Sequence, residues 1–275
     1  MAPVVAVGAV APALSRCGIG PKRRSMAGEV LDNKGRGEGG WNLPAIHPDG
    51  RRFGLIAAGI SLAVLLFTGW GWLGWPMLFA SAGVFAFFRD PERIVPQGED
   101  LVLAAADGIV TQIVMVEPPR ELQGTEARGR AGLPAVPVIR VSTFLSVFDV
   151  HINRAPIGGL IERSVYVPGE FANAEMDKAS ESNERQHVLI ARGDGTRIAY
   201  TQIAGLLARR IVPFVKPGDM VAAGQRVGLI RFGSRVDIYL PPGTAAAVVA
   251  GQRMVAGETV LARLGQDELI EGIAL

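Results

Sequence analysis

No Asp, Glu, Lys, Arg or His interrupts the chain from Phe53 to Phe88, and a run that apolar belongs in lipid rather than on a soluble surface. One helix over it would reach about 54 Å at ~1.5 Å per residue, well past a hydrocarbon core of ~30 Å. Gly69-Trp70-Gly71-Trp72-Leu73-Gly74-Trp75-Pro76 divides it: glycine and proline weaken the helix there, and tryptophan prefers the headgroup region. The pattern predicts a helical hairpin within residues 51–93, with arms from Phe53 to about Thr68 and from Trp72 to Phe88. Each arm is at the short end of a full span, so a thin spanning hairpin and a re-entrant, one-leaflet hairpin both fit. A buried core hairpin is the bland alternative. Arg51 and Arg52 precede the hairpin and Arg89 and Arg93 follow it, which under the positive-inside rule puts both ends on the cytoplasmic side with the domain that follows.

From Leu101 onward the period changes to two. Ile109 to Val116, Val138 to Phe144, Leu160 to Val167, His187 to Ala191, Arg197 to Ile203, Val227 to Phe232, Val236 to Leu240 and Met254 to Leu261 read as strands, punctuated by Gly and Pro. Residues 94–275 are therefore expected to form a mostly β domain, an antiparallel sandwich or barrel. Glu117 to Gly132 is polar and predicts a flexible loop over one edge. Ala106-Asp107-Gly108-Ile109-Val110 and Lys216-Pro217-Gly218-Asp219-Met220-Val221 look like the two halves of a lipoyl or biotinyl carrier. A carrier needs an exposed lysine at a hairpin tip, and Lys216 stands before its strand instead.

Residues 1–50 are rich in Gly, Ala and Pro without a sustained period, and predict a mobile extension. Its apolar run Val4 to Leu14 precedes Arg16, Lys22, Arg23 and Arg24, the reverse of a secretory signal, and Met26 as the true start fits as well as a targeting role. A net charge of +2 implies no nucleic-acid partner. Cys17 is the single cysteine, which excludes an internal disulfide and a cysteine-based zinc cage. His47, His151 and His187 lack the spacing of a zinc hydrolase, so no metal is expected.

Candidate chemistry centres on Arg231-Phe232-Gly233-Ser234-Arg235, a Gly-Ser bond between two strand patterns. Gly-Ser is common turn material, yet a serine after a glycine that accepts strained backbone angles could also attack its own preceding carbonyl. Phe87-Phe88-Arg89-Asp90-Pro91-Glu92-Arg93, Ala106-Asp107-Gly108, Phe144-Leu145-Ser146 with Asp149-Val150-His151, Asn183-Glu184-Arg185 and Phe232-Gly233-Ser234 follow in that order. Together, from about Arg51 to Ile273, they resemble the short bacterial form of the phosphatidylserine decarboxylase family.

The resemblance implies a pyruvoyl-dependent lyase that cuts itself between Gly233 and Ser234 into a β chain, 1–233, and an α chain, 234–275. Ser234 would become a covalent pyruvoyl cofactor, and phosphatidylserine from the bilayer would pass through a Schiff base to phosphatidylethanolamine and CO2. His151 would transfer protons and Asp107 would orient it; Arg154, Arg185 and Arg235 would hold the phosphodiester or carboxylate. Longer members carry a second histidine, assigned to self-cleavage, where this chain has Arg154, so the base for that step stays open between His151 and Asp107 with another partner. Asn183-Glu184-Arg185 would brace the site or form a polar loop. The implied partners are the membrane and the chain's own second fragment, with further oligomerisation left open, at the cytoplasmic face of the cell membrane. Two other readings remain: a noncatalytic membrane adaptor carrying a carrier-like module, and a pyruvoyl decarboxylase for a soluble amino acid, which leaves the hairpin without a use.

Overall fold

The apolar run forms a pair of helices in the computed structural model, which describes residues 43–124, 131–169, 182–205, 210–231 and 233–273. After the short strand β1 (Ala45–Ile46), helix α1 (Pro48–Phe67) starts with Pro48 in its first turn, and the His47 ring accepts the Asp49 N–H. Helix α2 (Gly71–Phe87) returns to β2 (Arg89–Asp90), which pairs with β1 and closes the base of the hairpin. Glycines set the spacing of the two helices: a Cβ on Gly54 would lie 2.5 Å from the Phe85 ring, and one on Gly74 would lie 2.4 Å from Leu65 Cγ. The break is narrower than the sequence predicts. Gly69, at φ +67°, makes the reversal, while Gly71 to Pro76 already belong to α2, where Gly74 leaves room for Leu65. The outer face, including Leu55, Ile60, Leu66, Trp72 and Phe79, is exposed, and α1 is long and apolar enough to cross a membrane. Residues 1–42 of the expected extension lie outside the described residues.

The β domain contains β3 (Leu101–Leu103), β4 (Gly108–Val116), β5 (Val138–Leu145), β6 (Ile152–Arg154), β7 (Gly159–Val167), β8 (Arg185–Ala191), β9 (Arg197–Ala204), β10 (Ile211–Pro213), β11 (Met220–Val221), β12 (Arg226–Ile230), β13 (Ser234–Tyr239), β14 (Arg253–Met254) and β15 (Val260–Arg263). The chain is mostly β, as its alternation predicts. An antiparallel sheet in the order β11-β7-β8-β9-β13-β5-β4-β14 curls into a half-barrel. A second sheet, β10-β12-β6, carries the segment that leads into β13. Inside the curl Val110, Val141, Ile161, Val188, Tyr200 and Ile238 belong to one buried apolar cluster.

Met254 to Leu261 is not one strand: β14 and β15 are separated by a turn in which the Thr259 hydroxyl accepts the Val255 N–H at 2.9 Å. Glu117 to Gly132 was expected to cover an edge, but its described parts cross a face. Leu122 and Leu133 are buried with Leu189, Ala199 and Tyr239, and Arg163 donates to the carbonyl of Glu121 at 2.6 Å. Residues 125–130 of that segment lie outside the described residues. The two carrier-like segments stand at opposite ends of the strand order, Gly108 heading β4 and Met220–Val221 forming β11, and the curl brings Ala106, Val110 and Val221 into one buried cluster. Each joins a different half. β4 and β7 are both nine residues long, each is bulged near its third residue, and each is flanked by a two-residue edge strand.

Candidate active site

Strand β13 begins at Ser234 and lies between β9 and β5, with Ala204 and Leu145 opposite the serine. The side chain of Ser234 is fully buried, and its Oγ has no hydrogen-bond partner among the described residues. Such a hydroxyl is not tied to another group and is available to the carbonyl before it. Gly233 holds φ +57°, a left-handed angle that costs a residue with a Cβ roughly 1–2 kcal/mol. One residue earlier but one, Arg231 donates to Asp49 Oδ2 at 2.6 Å and lies 5.3 Å from the Phe53 ring centroid, so the hairpin base grips the turn that carries the Gly-Ser bond.

His151 is fully buried beside that turn, and its Nε2 accepts the Gly233 N–H at 3.3 Å. Its Nδ1 lies 2.9 Å from the Asp149 carbonyl, so Nδ1 carries the proton and Nε2 keeps its lone pair. The Phe87 ring, at the end of α2, packs on the imidazole with centroids 4.2 Å apart. Burial pushes the His151 pKa down to about 4, outweighing the opposite pull of the Asp149 carbonyl and carboxylate. The ring is therefore a neutral proton acceptor near pH 7. Asp149 is itself fixed, its Oδ2 accepting from the Ser146 N–H and hydroxyl and its Oδ1 from Arg253.

Asp107 was expected to orient the histidine. Its Oδ2 instead accepts from Arg93 at 2.7 Å and its Oδ1 from the Ala256 N–H at 2.8 Å, while the place at His151 Nδ1 is taken by Asp149. Burial raises the Asp107 pKa against these bonds. Arg154 donates to the carbonyls of Gly224 and Pro91, each at 2.9 Å, and faces Asp90 at 3.6 Å. Those contacts make it a clamp between the hairpin exit and the β domain, not an open anion receptor. Arg235 is engaged elsewhere as well. Side chains alternate along a strand, so it points away from Ser234, and both its Nε and Nη2 bind Asp237, at 2.7 and 2.8 Å. Arg185 donates to the Asn183 carbonyl at 3.2 Å. Asn183 binds the carbonyl of Ala204 at 2.8 Å, bracing the strand end opposite Ser234.

Two polar residues beside Ser234 were not anticipated. Asn153, two positions after His151, and Gln202, on the same face of the sheet as Ser234, are fully buried and joined by a bond from Gln202 Nε2 to Asn153 Oδ1 at 2.7 Å. The interval His-x-Asn was the available signal, since alternate residues of an extended segment share a side. Below the hairpin, Arg89, Asp90, Arg93, Asp107, Val150 and Arg226 are among the residues lining a cleft of about 570 Å³. Among the described residues no group of three or more His, Cys, Asp or Glu is arranged to hold a metal ion.

The family described as phosphatidylserine decarboxylase matches residues 81–262. A phosphatidylserine decarboxylase proenzyme of Erythrobacter litoralis is 62% identical over 249 residues, covering 90% of this chain and 100% of its own length. A second, from Novosphingobium aromaticivorans, is 60% identical over 248 residues, covering 90% and 98% of the two chains. A third, from Zymomonas mobilis, is 53% identical over 227 residues, or 82% of this chain and 90% of its own.

Proposed function

The chain belongs to the phosphatidylserine decarboxylase family, and from that premise we propose that it is a self-processing enzyme that removes CO2 from phosphatidylserine at the membrane. Membership of an enzyme family sets the adaptor reading aside. The observation that carries the reading is the buried, unpartnered Ser234 Oγ next to a left-handed Gly233 whose N–H is held by neutral His151.

In the uncut chain, Ser234 Oγ attacks the Gly233 carbonyl carbon while His151 Nε2 accepts the hydroxyl proton. Collapse breaks the C–N bond, returns a proton to the Ser234 nitrogen and leaves an ester. Loss of the α-proton of residue 234 then expels the Gly233 carboxylate from Cβ and leaves an enamine, which takes a proton at Cβ to become an imine. Water replaces the resulting imine nitrogen, ammonia leaves, and a ketone caps the new chain. The lowered His151 pKa keeps Nε2 unprotonated near neutrality, and its bond from the Gly233 N–H must yield as the hydroxyl proton arrives; with Asp107 away from Nδ1, the Asp149 carbonyl is its orienting group.

A pyruvoyl group at position 234 would supply the electron sink that a carbanion-forming decarboxylation needs. The residues present fit it, because Ser234 is shielded from water by Leu145, Ala204 and the strands around them. His151 would take a proton from the incoming ammonium group and return it to the carbon that loses its carboxylate. Arg226, paired with Asp90 at 2.7 Å but still 44% exposed at the mouth of the cleft, would offer positive charge to the phosphodiester. An exposed apolar hairpin face would hold that mouth at headgroup depth, and the arginines flanking the hairpin support the cytoplasmic side.

Intact-mass measurement of the purified protein tests the reading. A C-terminal fragment beginning at position 234 with a ketone in place of its amine is expected, and Ser234→Ala should remain one uncut, inactive chain. A wild-type chain that decarboxylates phosphatidylserine while uncut would sink it.

A further inference from the structure

We propose that the Asn153–Gln202 pair receives the amino-acid head of the substrate, Asn153 Nδ2 donating to its carboxylate and Gln202 Oε1 accepting from its ammonium group. The assignment rests on residue 234 being the reacting end. Gln202 lies opposite Val236 on the face that Ser234 also occupies, so it is a diagonal neighbour of the serine, at about 7–8 Å. Asn153 follows His151 by two residues along one extended segment, which turns both toward the same side.

The pair is built in, and it is incomplete. Gly228 is the register partner of Asn153, and a Cβ there would stand 2.7 Å from Gln202 Nε2 and 3.1 Å from the Val212 carbonyl oxygen. A glycine in β12 thus makes room for the two amides to meet. Both side chains are fully buried, yet Asn153 Nδ2 and Gln202 Oε1 lack hydrogen-bond partners among the described residues. Leaving buried polar groups unpaired is costly, so a ligand that satisfies them is favoured. Two amides joined by a single bond leave over one amino group and one carbonyl. That is the complement of a zwitterionic head, which offers one acceptor and one donor.

Neutral amides also suit the reaction. Decarboxylation discharges the carboxylate, so an ion pair that held its charge in the ground state would raise the barrier, whereas a neutral donor orients it with less opposition. Arg154 and Arg235 are engaged with other protein groups, in keeping with that requirement. In the uncut chain the pair is closed off. Both amides and Ser234 are buried there, and cutting the 233–234 bond removes the covalent tie between the turn and the serine position.

The test uses the full, self-cut protein with vesicles of phosphatidylserine or phosphatidylethanolamine under cyanoborohydride, following the lipid mass gained by the small fragment. Both lipids bring an amine and a phosphodiester; only the first brings a carboxylate. Wild-type protein should be labelled by phosphatidylserine at least about tenfold faster, and Asn153→Ala should bring that rate down to the phosphatidylethanolamine rate, itself unchanged within about twofold. The isosteric Asn153→Asp, which sets a negative charge against the carboxylate, should fall lower still for phosphatidylserine. Equal loss with both lipids, or an undiminished preference, overturns the assignment. Failure of both variants to cut would move the pair into self-cleavage and overturn it too. A wild-type fragment that gains no mass from either lipid overturns the reading of residue 234 and this assignment with it.

Discussion

At the scale of single residues, burial converts His151 from a group that titrates near neutrality into a permanent base. Its pKa of about 4 means that acid must reach that range before Nε2 is blocked, whereas an ordinary histidine would be lost from ~6.5 downward. Proenzyme synthesised cell-free and shifted into buffers from pH 4 to 8 should therefore cut at a nearly constant rate down to about pH 5, then slow toward pH 4. A midpoint near 6.5 would show that the imidazole is solvated at the moment of cleavage. Gly233 contributes through its backbone alone. A methyl group there meets no atom within 4 Å, so Gly233→Ala imposes only the left-handed penalty, roughly 1–2 kcal/mol. Relief of that strain by a shift of the turn would move the scissile carbonyl, and the fraction cut on a denaturing gel at early times should drop below that of the wild type.

Under the proposed self-cleavage, strand β13 is the element that must hold its end once the bond that ties Ser234 to the turn is gone. Behind the reacting face, Arg235 and Asp237 form a bidentate ion pair with neither side chain more than 1% exposed, and Arg140 lies 3.9 Å from the same carboxylate. Removing Arg235 strips the buried Asp237 carboxylate of its bidentate partner. Arg235→Met should cost about 3–5 kcal/mol in urea unfolding, while Arg235→Met with Asp237→Leu should recover most of it. This pair also shows where the sequence was legible. Alternation in Val236-Asp237-Ile238-Tyr239 marks a strand, and the same alternation, applied to Arg235, turns its side chain away from Ser234. The hairpin shows as a run without charge and the long strands carry a period of two, so both could be read. Two-residue strands such as β11 and β14 are too short to have one. Arg154 was misleading because its carbonyl partners lie 63 and 70 residues away in the chain, and Asn153 was silent because Gln202 is 49 residues distant.

For the whole molecule, the hairpin and the half-barrel share the site rather than merely adjoining. Phe87 covers His151, and the Asp49–Arg231 ion pair ties the first turn of α1 to the turn before Gly233. Arg231→Ala should retain vesicle binding, which depends on the apolar hairpin face, yet cut more slowly; flotation and gel analysis of one preparation separate the two effects. Stability responds to pH through two buried rings. His187, with Nδ1 2.8 Å from the Thr201 hydroxyl, is also pushed down to about 4 by burial, on the face of the sheet opposite Ser234. Both rings are neutral when folded and would protonate near 6.5 when unfolded, so the unfolded chain binds more protons between about pH 6.5 and 4. Their contribution is complete above 6.5 and declines as the pH falls through that window, by about 3 kcal/mol for each ring. Urea midpoints of the uncut Ser234→Ala chain, which keeps both histidines and avoids mixed cut forms, should therefore drop on acidification. Adding His187→Asn should reduce the slope toward that of one ring, and a slope unaffected by that change would mean His187 is already charged in the folded chain.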